Sequence, residues 1–86
     1  MKRIYVFETG ELRNLCLSDP VVLTYRIQNL LIDQIVGARL SVWDMDQKTG
    51  KERGFWLSRL FSGEDTTITR VELRELVAVI KEHKRA

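Results

Sequence analysis

Eighty-six residues, 44% of them hydrophobic and 30% charged, with one proline and five glycines, describe one small soluble domain. A chain of this length buries only about 60–65% of the surface it exposes when unfolded, which leaves one modest core and little room for an enclosed active site. Fourteen Lys and Arg against twelve Asp and Glu leave a net charge of +2, and residues 1–43 and 44–86 each carry +1, so composition points neither to disorder nor to a polyanion partner.

The chain begins with a β-branched and aromatic run at residues 2–8, bounded by Thr9 and Gly10, which reads as a strand. Its basic residues meet Glu8 before a signal-peptide core could form, and no apolar run approaches the length of a membrane span. Cys16 is the single cysteine, so no internal disulfide forms, and a reducing, cytoplasmic setting is expected. Its neighbours Leu12, Leu15 and Leu17 suit a packed, inert thiol better than a reactive one.

Asp19 and Pro20 suit a helix start, with Leu23, Ile27, Leu30, Leu31 and Ile35 at helical spacing and Gly37 as the stop. Residues 21–25 suit a strand equally well. Residues 38–46 and 51–61 flank Gln47, Lys48, Thr49 and Gly50, a polar turn that predicts a β-hairpin with positive φ at Gly50. Beyond it, Thr69 and Glu72 form a capping box, and Leu73, Leu76, Val77 and Ile80 give the last helix an apolar stripe. The expected fold is α+β in the order β-α-β-β-α, a three-stranded antiparallel sheet backed by two helices.

The hairpin register opposes Val42 to Trp56 and Ala38 to Leu60 on a covered face. Its other face carries Arg39, Ser41, Trp43 and Met45 on one strand and Arg53, Phe55, Leu57 and Arg59 on the other, with Trp43 opposite Phe55. Three arginines among two exposed rings could meet phosphates and stack bases. A third element or a second subunit could instead cover the same rings.

Catalytic constellations are not apparent. His83 is the only histidine, which excludes a histidine-based triad or a histidine-rich metal site within one chain, and it reads as a solvated helix-end residue. Asp44, Asp46 and Glu52 could be written as a cation cluster, but beside Lys48 and Lys51 they read as the solubilising charges of a turn. The scattered glycines form no phosphate loop. The expectation is a binding protein without enzymatic activity, metal or cofactor.

The segment 49–60 resembles the longer signature of the RNA recognition motif family, Arg53, Gly54 and Phe55 matching its first three positions. Ile4, Tyr5 and Val6 are similar to the start of the family's shorter signature. The resemblance implies a ferredoxin-like sheet on which Tyr5 and Phe55 stack bases with Arg53 near a phosphate. Trp56, Leu57 and Leu60 depart from the pattern, and the expected order lacks the family's fourth strand. That would leave residues 3–8 an open edge for a homodimer or a docked partner.

Two functional classes follow from this reading. One is a single-stranded RNA- or DNA-binding module using Tyr5, Trp43, Phe55, Arg39, Arg53 and Arg59, whose affinity falls steeply with salt. The other is a protein-binding inhibitor or adaptor that engages a protein or nucleoprotein complex through the same face, including Leu57, with Trp43 or Phe55 as a hot spot. In size, charge and lack of catalytic residues it resembles phage-encoded inhibitors such as the anti-CRISPRs, which would place it in a host cytoplasm. Near-neutral charge and the neighbouring Asp44, Asp46 and Glu52 favour the protein-binding class.

Overall fold

Thr24 sits in extended backbone with its hydroxyl accepting a hydrogen bond from the Ile27 N–H at 3.3 Å, and this cap starts a helix at Tyr25. The strand and helix options for residues 21–25 are therefore both used: β1 is Val21–Leu23 and α1 is Tyr25–Gly37. The structure, a computed structural model, describes residue 15 and residues 17–85, the last without its side chain. The remaining elements are α2 (Val42–Lys48), α3 (Phe55–Leu60), β2 (Thr66–Ile68) and α4 (Arg70–Arg85).

This order overturns the expected three-stranded sheet. The one sheet among the described residues has two strands, paired antiparallel as Val21 with Ile68, Val22 with Thr67 and Leu23 with Thr66. The strand expected at residues 2–8, the dimerising edge at 3–8 and Tyr5 lie outside the described residues. Asp19 and Pro20 do not start α1. Asp19 instead accepts the Arg70 N–H at 3.3 Å, at the first turn of α4.

The predicted hairpin at 38–61 is two short helices. Ser41 and Asp44 close a reciprocal capping box, the Ser41 N–H donating to the Asp44 carboxylate at 2.9 Å and the Asp44 N–H to the Ser41 hydroxyl at 3.1 Å. Gly50 does have positive φ, as expected of a turn residue, but the turn joins α2 to α3. Gly54 precedes α3 at φ 96°, a conformation that a residue with a Cβ resists. Helices of seven and six residues do not hold in water on their own, so packing must secure them.

That packing comes from one core. Val21, Leu23 and Ile68 point inward from the sheet, Ile27, Leu31 and Ile35 from α1, and Leu73, Leu76 and Ile80 from α4. Met45 of α2 and Trp56 and Leu60 of α3 complete it, so the arm's apolar residues follow helical spacing rather than the alternation of a strand. Buried Gln28 ties the parts together, its side-chain amide donating to the carbonyls of Leu23 at 2.9 Å and Glu64 at 2.6 Å. The capping box of Thr69 and Glu72 and the stripe of α4 form as expected. None of the described helices is long and apolar enough to cross a membrane.

Candidate functional site

Of the predicted surface residues, Trp43, Arg53, Phe55, Leu57 and Arg59 lie on the arm formed by α2, the 49–54 turn and α3, and the arm is built around Asp46. This carboxylate is only 3% exposed, and its two oxygens accept the N–H groups of Gly54 at 2.8 Å and Trp56 at 2.9 Å. It takes two of the N–H groups at the start of α3, which has no local side-chain cap. The Lys51 N–H closes the turn onto the Asp46 carbonyl at 2.8 Å. Trp56 is fully buried, and its indole N–H donates at 2.9 Å to the Thr49 hydroxyl, which donates in turn to the Met45 carbonyl at 2.6 Å.

Asp44 and Asp46 are therefore helix-capping groups, neither a cation cluster nor charges that solubilise a hairpin tip. Among the described residues no group of three or more His, Cys, Asp or Glu could hold a metal ion. The Ser41 N–H and hydroxyl hold the Asp44 carboxyl below its ordinary pKa, with Lys48 and His83 adding attraction against a smaller opposing effect of burial. At Glu72 burial works to raise the pKa. Hydrogen bonds from Thr69 and Lys51, with the Lys51 charge, overcome it and leave the value lowered.

The arm carries two ring–cation pairs. The Arg53 guanidinium lies over the Trp43 indole, 4.5 Å from its centroid, and Arg59 lies over Phe55 at 3.8 Å. Phe55 meets Trp56 edge to face, with centroids 4.9 Å apart. Lys51 reaches both Phe55, 5.2 Å from the ring centroid, and Glu72, 3.3 Å from its carboxylate, fastening the turn to the start of α4.

Sequence reasoning placed Trp43, Arg53, Phe55 and Arg59 on one hairpin face, and the structure pairs them differently on helices and a turn. In place of Trp43 opposite Phe55 across a hairpin, each ring holds an arginine. Arg39 stands apart at the end of α1, exposed and left-handed at φ 63°, its N–H on the Val36 carbonyl at 2.9 Å. Leu57 is exposed on α3. Phe61, immediately after α3 and 53% exposed, was missed, as was the pairing of Lys51 with Glu72.

Elsewhere a depression of about 360 Å³ between the end of α2 and α4 is lined by Lys48, Val79, Glu82 and His83. It contains none of the predicted site residues, and His83 is exposed there near the end of α4, as expected. Comparison with protein-family models, curated proteins and solved structures finds no match for this chain.

Proposed function

We propose that this is a non-enzymatic protein-binding module, an inhibitor or adaptor, that engages its partner through the outer side of the α2–α3 arm. The observation that carries the reading is the occupation of both rings by the chain's own arginines. Stacking a nucleobase needs an open ring face, and the faces under Arg53 on Trp43 and under Arg59 on Phe55 are open to a base only if it displaces those arginines. A protein contact has no such requirement. Tryptophan and arginine are the residue types that dominate protein–protein hot spots, and Trp43 remains 40% exposed beside its arginine. Leu57 and Phe61 add exposed apolar surface on α3 and at its end.

Immobilised wild-type and Trp43→Ala chains, presented with nuclease-treated extract of the source cell, test the proposal. The expected result is a stoichiometric protein complex on the wild type that Trp43→Ala loses, together with flat titrations against mixed single-stranded RNA and DNA at two salt concentrations. Salt-sensitive oligonucleotide binding that disappears in Arg53→Ala would overturn it.

A further inference from the structure

The charges on the arm are not equally available. Asp44 and Asp46 are turned onto backbone N–H groups, Lys51 is paired with Glu72, and Arg59 donates to the Phe55 carbonyl at 3.2 Å and the Ser58 hydroxyl at 3.0 Å. Arg53 differs from all of these. Its side chain is exposed, its guanidinium lies against Trp43, and it makes no ion pair with a carboxylate among the described residues.

We infer that Arg53, placed over the Trp43 ring, is a preformed receptor for a carboxylate, and that the partner presents an Asp or Glu beside an aliphatic or aromatic side chain. This deepens the protein-binding reading and rests on it. A guanidinium offers a planar fork of donors that matches a carboxylate with two parallel hydrogen bonds, a geometry lysine cannot supply. An unrestrained arginine gives up rotamer freedom when it is fixed. The indole beneath Arg53 restricts it before the partner arrives, so less of that cost falls on binding.

The exposed part of Trp43 then forms an apolar shelf next to the fork, with Leu57 also exposed on the arm. Both acids of α2 are taken by backbone N–H groups of the chain, and among the described residues no carboxylate, the exposed Glu52 beside it included, pairs with Arg53, so its fork is left for a partner's acid. A nucleic-acid backbone needs several cations in register, whereas Arg59 and Lys51 are already engaged within the chain. One fork and one apolar shelf fit a single acidic side chain on a protein.

Selection of short random displayed peptides on the 86-residue chain tests this directly, with a single-stranded oligo-dT as the phosphate probe. The expected binders are enriched in Asp or Glu next to an apolar residue. They should lose at least about tenfold in affinity to Arg53→Lys and to Arg53→Gln, and as much when the peptide acid is changed to its amide. Arg53 is exposed and donates no hydrogen bond among the described residues, and thermal unfolding of both variants at the wild-type temperature is the control for intact folding. Binders that need Trp43 but neither Arg53 nor an acid would overturn the carboxylate inference and leave the protein-binding reading standing. No binders above background, or Arg53-dependent binding of oligo-dT, would overturn both.

Discussion

On its inner side the α2–α3 arm turns its polar groups onto itself, whereas on its outer side the exposed Arg53 meets a ring. Asp46 is nearly inaccessible and both of its oxygens are taken by α3, and the Trp56 N–H is passed through Thr49 to the Met45 carbonyl. Arg53, a few residues away in sequence, has the Trp43 face and solvent. The physical difference is the cost of leaving a polar group unmade: it is high in a water-excluded interior and near zero at the surface. The inner network therefore reads as what the fold requires, and the outer pair as what the fold leaves for a partner.

Substitutions on the inner side should produce the largest effects. Asp46→Ala strips acceptors from two N–H groups at the start of α3 and should destabilise the protein by about 3 kcal/mol, each buried unmade bond costing roughly 1–3. Urea unfolding reads this directly, and Asp46→Asn, which keeps an accepting oxygen, should fall in between. A change under about 0.5 kcal/mol for Asp46→Ala, the range of ordinary surface substitutions, would mean that α3 is not capped in this way.

Glu72 is the next test, because it joins the cap of α4 to Lys51 and so to the back of the arm. Its pKa and that of Asp44 are lowered on folding, so the stability each confers is present above the ordinary values of 4.5 and 3.8. It is lost as pH falls through the lower folded values. Glu72→Gln should cost about 1 kcal/mol near neutral pH and flatten the acid limb of the stability profile, as chemical denaturation at a series of pH values would show.

The smallest effect should have the opposite sign. Arg39 occupies a left-handed position that closes α1, where the Leu40 N–H reaches back to the Ile35 carbonyl at 3.0 Å. Glycine relieves about 1–2 kcal/mol of crowding there but adds about 0.4–1 kcal/mol of freedom to the unfolded chain. Arg39→Gly should therefore stabilise the fold by about 0.5 kcal/mol in the same urea assay, and a loss of stability would show that the arginine side chain has a structural partner.

The parts of the fold that were legible are those whose signals are local. Thr69, Glu72 and the stripe Leu73, Leu76 and Ile80 lie within a few residues of one another, and α4 forms as its pattern predicts. The arm was misread because Ala38, Leu40 and Val42 alternate like a strand while the interactions that decide its shape span the turn. Asp46 finds its partners eight and ten residues later, and Asp19 finds one 51 residues later. Ser41 and Asp44 were a usable local signal, with aspartate in the place where a capping box usually has Glu or Gln. The candidate site was legible as residue types, since aromatic and arginine residues cluster in the 43–59 stretch, but a strand register gave those residues the wrong neighbours.

The most direct test of a partner-ready arginine is the side-chain NMR spectrum of Arg53 in the free protein. Stacking on the Trp43 indole predicts δ-methylene protons displaced upfield by the ring current, and a return to ordinary shifts in Trp43→Leu. Ordinary shifts in the wild type, unchanged by that substitution, would contradict the account.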